Sequence, residues 1–266
     1  MKSKFTKALI FIAVLVCIFA FPQIAGAEQF PVEGTNATLT YTVSGSKATI
    51  TDCNEDATGV LVIPSTIGDN TVVQINTDAF VNCALLTAIT VPDSVKTIQT
   101  QAFKGCTSLE EITLPFIGES KGGSGYSNCV FGYIFEKSDS SDTSAVKQYP
   151  GDGTLYARIP TSLKKVTITS ETALARAAFQ NCTMLEEVIL PAEMNAVMYD
   201  NFMQNCTSLK KVNIPKGVGQ ICDNSFSGCT SLESITIPDG AAWIYARSWP
   251  VLAANFLENN GFPRKK

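Results

Sequence analysis

The sequence predicts a repeat solenoid, in which short turns stack on one another and share one continuous apolar core. Two observations predict it. A phrase recurs six times, and its cleanest copies read CTSLEEITLP (106–115), CTMLEEVILP (182–191), CTSLKKVNIP (206–215) and CTSLESITIP (229–238). Neighbouring copies within a block begin 23 or 24 residues apart. A turn of this size cannot bury its own apolar face, so it is stable only against its neighbours.

Each phrase predicts one short β-strand, because two of its apolar positions are separated by two residues, the period of a strand with one buried face. The first of these positions holds Ile89, Ile112, Val166, Val188, Val212 and Ile235, and the second holds Val91, Leu114, Ile168, Leu190, Ile214 and Ile237. The proline that follows most copies cannot continue a ladder and marks the strand end. A degenerate copy at Leu61, Ile63 and Pro64 brings the array to about seven rungs. We therefore expect a right-handed array with a parallel strand face.

The segments between the strands predict the opposite wall of the core. Aromatic residues recur at one position of these segments, namely Phe80, Phe103, Phe179 and Phe226, with Met203 or Phe202 in the copy that is one residue longer. Stacked turns place equivalent side chains in a column. The rings are therefore expected to form a core column behind the strands, and a cofactor site is not expected.

The chain divides into four parts on this interpretation. Residues 1–27 read as a signal peptide, with three lysines, an apolar run that is short for a bilayer span, and a small-residue end. Residues 28–58 are expected to form an N-terminal β-hairpin cap around Gly45. The repeat domain covers 59–266 and ends in a C-terminal cap, 239–266, with a helix over PVLAANFLEN and with Trp243 and Trp249 as lids.

One interval of the array is too long. Leu114 and Ile168 are 54 positions apart where about 23 are expected, which indicates an insertion over 116–160. Its strand-like run, Val130 to Phe135, predicts a β-rich flap that leaves the solenoid and rejoins it. Such insertions often contribute to binding faces, but a tolerated surface loop explains the sequence equally well.

Charge and cysteine content exclude several functions. The leader holds three lysines and no acidic residue, so the 20 basic residues fall to 17 against 24 acidic ones, a net charge of −7. This balance disfavours nucleic acid and anionic membranes as partners. The spacing of the cysteines and the absence of histidine disfavour a metal site, and no cofactor is expected.

Most of the cysteines occupy one repeat position, namely Cys83, Cys106, Cys182, Cys206 and Cys229. Stacked equivalents point in parallel, and a thiol packs as a small apolar group, which favours buried thiols over disulfides between adjacent rungs. Cys53, Cys129 and Cys222 lie outside this predicted column, and their disulfide state is left open.

An enzyme is not expected. Without histidine the chain lacks the commonest general base and every Ser/His or Cys/His pairing. The recurring Glu-Glu pairs raise the alternative of acid/base chemistry, but their positions favour another explanation. The outward position before the first buried strand residue alternates in sign along the stack, as Ala88, Glu111, Lys165, Glu187, Lys211 and Ser234. Opposite charges on neighbouring strands stabilise a sheet, so these residues are expected to form a charge ladder.

The second outward column is richer in small hydroxyl groups, with Ile189 as its apolar point. Together the two columns give a candidate binding face, composed of Glu111, Thr113, Lys165, Thr167, Glu187, Ile189, Lys211 and Asn213. A solvated sheet face that binds nothing is the alternative.

The motifs AFVNC (79–83), AFKGC (102–106) and AFQNC (178–182), each followed by L-x-x-[IV]-x-[VLI]-P, resemble the BspA-like leucine-rich repeat family of bacterial and protist surface proteins. The resemblance implies a secreted or cell-surface adhesion module that binds a host matrix protein, a cell-surface protein or a glycan. A structural envelope-associated array without a discrete ligand is the second hypothesis, and a carbohydrate-active solenoid enzyme the third. Membrane insertion is not expected, and the oligomeric state is left open.

Overall fold

The computed structural model describes residues 26–122, 127–151, 153–233, 235–238 and 243–245. In chain order the first nine strands are β1 (Glu28–Pro31), β2 (Thr38–Ser44), β3 (Lys47–Cys53), β4 (Thr58–Val62), β5 (Thr66–Ile67), β6 (Asn70–Ile75), β7 (Leu85–Thr90), β8 (Thr97–Ile98) and β9 (Glu111–Leu114). The remaining strands are β10 (Glu136–Lys137), β11 (Val146–Gln148), β12 (Leu155–Arg158), β13 (Lys165–Ile168), β14 (Glu187–Ile189), β15 (Val197–Met198), β16 (Lys211–Val212), β17 (Gln220–Ile221) and β18 (Trp243–Ile244). Two 3₁₀ helices cover Ser127–Cys129 and Phe131–Ile134.

The chain forms a β-solenoid of about seven turns, as the repeat spacing predicts. One strand from each of six turns joins a parallel sheet in the order β4, β7, β9, β13, β14, β16. The pairing follows the alignment of the phrases, since Ile112 lies beside Ile89 on one side and Val166 on the other. We call the outward surface of this sheet the strand face.

The core lies between this sheet and the segments that return from one strand to the next. The inward strand residues Ile89, Ile112, Val166 and Val188 are at most 1 % exposed. They share one core with the recurring leucines of the same phrases, such as Leu109. The period-2 pattern thus reports which side of each strand is removed from water.

The return segments form a back wall, built on a continuous column of aromatic rings. Consecutive ring centroids lie 5.0 to 6.4 Å apart from Phe80 through Phe103, Phe135, Phe131 and Phe179 to Phe202. The sequence left Met203 and Phe202 as alternatives at this position. The backbone N–H of Met203 bonds to the carbonyl of Ser225 in the next turn, as that of Phe80 does to Ala102, so Met203 occupies the repeat position. The ring of Phe202 nevertheless packs on Phe179.

Two corners of each turn have a left-handed backbone, which explains residues that the aligned phrases leave unexplained. One corner precedes the aromatic position by two residues and the other precedes the cysteine. They are held by Asp78, Gln101, Ala177, Asn201 and Asn224, and by Asn82, Gly105, Asn181, Asn205 and Gly228. Asparagine and glycine tolerate this conformation best. Glycine is further required at 228, because a Cβ there would lie 2.3 Å from Oδ1 of Asn205 in the preceding turn.

The N-terminal strands extend the side of the solenoid that is not the strand face. β2 and β3 pair antiparallel, and β3 then pairs in parallel with β6. β1 adds to the outer edge of β2. As a result β4 stays at the edge of the parallel sheet.

The insertion differs from its prediction. The strand-like run Val130 to Phe135 is mostly the second 3₁₀ helix, Phe131–Ile134, and it lies within the back wall. The N–H of Phe103 donates to Ile134, and the N–H of Phe131 donates to Ala178. The prediction of a strand was wrong because a buried apolar run has the same composition whether it extends or turns. The antiparallel strands of the insertion are β10, β12 and β11, which follow the helix.

Two buried polar side chains attach the insertion to the regular turns. Gln148 is fully buried, accepts a hydrogen bond from the N–H of Gly132, and donates to the carbonyls of Ala177 and Ala178. The buried carboxylate of Glu171 accepts four backbone N–H groups, from Ile117, Gly122, Thr172 and Ala173. Buried polar groups that are fully hydrogen-bonded fix one arrangement of the chain.

Several sequence-based expectations fall outside the described residues. These are the leader up to residue 25, Ser234 in the outward column, Trp249 and the C-terminal helix over 250–259. Within the described part of the chain, no helix has the length and apolar character needed to cross a membrane.

Candidate functional site on the strand face

Seven of the eight candidate residues lie on four adjacent strands, and Asn213 directly follows the fourth, β16. Lys165 of β13 is in register with Glu111 of β9 and with Glu187 of β14, and Glu187 is in register with Lys211 of β16. In the second column Thr167 lies between Thr113 and Ile189. The parallel sheet thus brings together residues that are as much as 102 positions apart in the chain, from Glu111 to Asn213.

The predicted alternation of charge is present in the register of the strands, and one neighbouring pair of this column forms an ion pair. Nζ of Lys165 lies 3.5 Å from a carboxylate oxygen of Glu111. In the neighbouring exposed column, Nζ of Lys210 lies 2.6 Å from Glu186, and this hydrogen bond holds the pKa of the Glu186 carboxyl below its usual value. The first pair joins the adjacent strands β9 and β13, as expected for opposite charges in register, and the second joins the residues that directly precede β14 and β16. Glu111 and Glu186 therefore each have a lysine partner in a neighbouring turn.

Asn213 has a structural task that the sequence did not reveal. Its side-chain Oδ1 accepts a hydrogen bond from the N–H of Leu190 at 2.7 Å, and its Nδ2 donates to the carbonyl of Leu190 at 2.9 Å. The amide thus continues the pairing of β14 beyond the end of β16. A partner that approaches this position meets an amide whose oxygen and nitrogen are already engaged.

Sequence reasoning missed the apolar end of the strand face. Val60 and Val62 of β4 are 59 % and 55 % exposed, and Leu85 at the start of β7 is 54 % exposed. Val60 pairs with Ala88 and Val62 with Thr90, so both valines continue the two outward columns. The alternation of VLVIP would have shown this, since Leu61 and Ile63 are the buried positions. The strand face therefore has an apolar end at β4 and a charged end from β9 to β16.

The thiol column belongs to the scaffold. Cys106, Cys206 and Cys229 donate from Sγ to the carbonyls of Phe80, Phe179 and Met203, at 3.0 to 3.2 Å. Each carbonyl belongs to the aromatic position of the preceding turn. The repeat position thus selects a group small enough for the core that is also a weak hydrogen-bond donor.

Cys53 was expected to lie outside this column, and that expectation was wrong. Its thiol interacts with that of Cys83, and this contact together with burial raises the pKa of Cys53 above the usual range. The Sγ of Cys83 in turn lies 3.8 Å from the carbonyl of Cys53. Cys53, Cys83, Cys106, Cys182, Cys206 and Cys229 are buried thiols that form no disulfide. The described residues contain no cluster of three or more cysteine and acidic side chains arranged to hold a metal ion.

Comparison with known proteins agrees with the repeat architecture. The model of the BspA type leucine-rich repeat region matches residues 64–142 and 156–249, with six copies. No curated protein is significantly similar to the chain.

The similar solved structures are bacterial leucine-rich repeat proteins. TpLRR of T. pallidum is 19 % identical over 85 % of this chain and 95 % of its own, with a TM-score of 0.46. A leucine-rich repeat protein of Eubacterium ventriosum is 16 % identical over 79 % of this chain, with a TM-score of 0.49, and this chain spans 49 % of its length. A leucine rich cell surface protein of Faecalibacterium prausnitzii is 23 % identical over 84 % of this chain and 46 % of its own, with a TM-score of 0.36.

These structures are too distant to carry an argument about function. The family model, in contrast, covers most of the repeat array and matches the phrases whose strands build the strand face. Leucine-rich repeats of this kind are generally protein-interaction scaffolds. The chain belongs to the BspA-type leucine-rich repeat family.

Proposed function

We propose that the protein is a secreted or cell-surface interaction module that binds a host or microbial surface protein, or a glycan, through its strand face. The observation that carries the proposal is the register of the two outward columns, which spreads apolar, hydroxyl and charged groups over adjacent strands. A face that mixes such groups suits a protein surface better than a polyanion.

Two features support the location. The leader-like start, residues 1–27, predicts export. The six buried thiols are compatible with export, because an oxidant must enter the core before it can reach them.

We assign the insertion mainly to the scaffold. Its rings Phe131 and Phe135 are buried in the aromatic column, and its contacts run to back-wall residues such as Ala178. Its exposed surface includes Tyr149, whose ring lies 4.9 Å from Nζ of Lys147. This surface is a smaller candidate for a partner contact than the strand face.

The test is a binding screen of residues 28–266 against host matrix proteins, cell-surface proteins, mucins and glycans on a biosensor. For any partner found, Val60→Asp and Lys165→Glu should each weaken binding at least about tenfold, since they place an unpaired charge at the two ends of the face. Lys216→Glu is the matched control, because Lys216 is 71 % exposed by side chain but pairs with Glu193 outside the strand face.

The outcome separates the hypotheses. Equal loss of binding in the control and in the two variants would remove the strand face from consideration. No saturable binding to any member of the panel would favour the structural, envelope-associated array.

A further inference from the structure

The charged end of the strand face consists of rows whose sign alternates from strand to strand. The rows are Glu110 and Glu111, Lys164 and Lys165, Glu186 and Glu187, and Lys210 and Lys211. In each row the second residue begins its strand, β9, β13, β14 or β16, and is in register with its neighbours, while the first residue directly precedes the strand. An order of four alternating rows has a property that a single ion pair lacks. If a second copy of the sheet faces the first with its strands in the reverse order, every row lies opposite a row of the other sign.

We infer that the charged end of the strand face is a docking surface for a second copy of this chain. The inference deepens the proposed function, on which it rests, by naming one partner for that face. The arrangement is a two-fold dimer whose axis lies in the interface, runs parallel to the strands, and passes between β13 and β14. Two-fold association of one surface with itself is the commonest form of homo-oligomer.

In this arrangement the contacts follow from the register. The row of β9 meets the row of β16 of the second copy, which places Glu111 opposite Lys211. The row of β13 meets that of β14, which places Lys165 opposite Glu187. By symmetry each contact occurs twice. The axis leaves the direction of the strands unchanged, so in the second column Thr167 lies opposite Ile189, next to the axis.

The alternating charges favour this position of the axis over two other positions. Moving the axis by half a strand spacing, onto β13, would place Glu111 opposite Glu187 of the second copy. Turning the axis so that it runs along the stack would place each row opposite the same row of the second copy. Both alternatives bring like charges together across the interface, which disfavours wrong registers. Because the charged rows span only four strands at about 4.8 Å each, the expected dimer is small and weak.

The dimer is tested by sedimentation velocity of residues 28–266 over a hundredfold range of concentration. The wild type should associate at an ionic strength of about 0.1 M, and this association should weaken at about 1 M, where the Debye length falls from about 10 Å to about 3 Å. Lys165→Glu should weaken self-association at least about tenfold, because it places glutamate opposite Glu187 twice. Glu187→Lys should do the same by placing lysine opposite Lys165.

The decisive measurement mixes the two single variants in equal amounts. In a heterodimer, the glutamate at 165 of one chain meets the lysine at 187 of the other, and Glu187 of the first meets Lys165 of the second. All four rows are then complementary again. We expect the mixture to recover the wild-type dimer fraction, although each variant alone associates at least about tenfold more weakly.

A ladder that acts only within the chain predicts no such recovery. Lys216→Glu is the control for a general charge effect, and circular dichroism with thermal unfolding confirms that the variants fold. A monomeric wild type, or a mixture that stays monomeric, would overturn the inference. Either result leaves the biosensor screen for other partners unaffected, and a failed screen likewise leaves the dimer measurement intact.

Discussion

The regular turn around Phe179 and the insertion-bearing turn after β9 build the same wall from different sequences. In the regular turn, Phe179 supplies the ring, the left-handed corners at Ala177 and Asn181 turn the chain, and the buried Cys182 follows the second corner. In the inserted turn, Phe131 and Phe135 at the two ends of a 3₁₀ helix supply two rings, and they connect Phe103 to Phe179. The fully buried Gln148 donates to the carbonyl of Ala178 beside Cys182.

This comparison shows that a turn can take its place in the solenoid without the repeat phrase if it supplies the same contacts to the next turn. Each turn must give the next one a buried ring and a matching ladder of backbone hydrogen bonds. A repeat phrase meets these needs in about 23 residues, whereas the insertion meets them with a longer chain and its own small sheet. The long segment is therefore continuous with the core.

The largest expected effect tests whether the regular turn and the inserted turn contribute equally to the stability of the back wall. Phe135→Ala should destabilise the protein by about 3–5 kcal/mol, as Phe179→Ala should, because both rings are fully buried in one column. Urea unfolding measures both. Tyr149→Ala, at an exposed aromatic residue of the same insertion, is the control and should cost less than about 1 kcal/mol. A tolerated surface loop would instead make Phe135→Ala as harmless as the control.

The next effect concerns the attachment of the insertion. Glu171→Gln should cost about 2–3 kcal/mol, because the amide cannot accept all four backbone N–H groups that the carboxylate accepts. Hydrogen exchange at the amides of Ile117 and Gly122 should accelerate most. Glu110→Gln, at an exposed glutamate, is the matched control. Equal protection in the two variants would show that the carboxylate does not hold the insertion.

A smaller effect is expected at the corners of the regular turns. Gly228→Ala should cost about 2 kcal/mol, because an alanine in the left-handed region is strained by about 1–2 kcal/mol and its Cβ would meet Asn205. Gly219→Ala is the control, since no atom lies within 4 Å of the added Cβ. Thermal unfolding of the two variants should separate them, and similar melting temperatures would contradict the steric explanation.

The effect that is smallest at neutral pH is the contribution of the buried thiols to the pH dependence of stability. Gln148 of the inserted turn is the comparison, because its side chain does not titrate. Burial raises the pKa of Cys106 and Cys182 well above the usual value. A raised folded-state pKa stabilises the fold below the unfolded pKa of about 8.5, and this stability is lost as the pH rises further. In reducing buffer, the free energy of unfolding should therefore fall between about pH 8.5 and pH 9.5.

Replacing the two thiols by alanine should make this decline shallower. Gln148→Leu is the comparison from the inserted turn, and it should lower stability at every pH without changing the slope. An unchanged slope in the double cysteine variant would remove the thiols as its cause.

Much of the regular array could be predicted from the sequence. The alignment of the phrases indicated which residues pair, and the strands lie in that register from Ala88 to Lys211. The aromatic column and the buried thiols follow from the same alignment, because stacking repeats every position at a fixed place. For this reason the charge ladder of the candidate site was also foreseeable, whereas its binding role stays a prediction.

The irregular parts could not be predicted in the same way. Val130 to Phe135 has no equivalent copy, so its composition alone did not decide between a strand and a 3₁₀ helix. The double hydrogen bond of Asn213 to Leu190 depends on how the neighbouring strand ends. Cys53 lies in a hairpin strand whose contact with Cys83 depends on how the hairpin packs.

By itself the sequence determined the period, the side of each strand that is buried, and the order of charges along the stack, because repetition turns a local pattern into a column. Only the tertiary structure decided how the inserted segment re-enters the core and which polar side chains attach it. It also decided that β4 stays at the sheet edge with Val60 and Val62 exposed. These features depend on contacts between segments that share no pattern, and a local reading of hydrophobic period carries no information about such contacts.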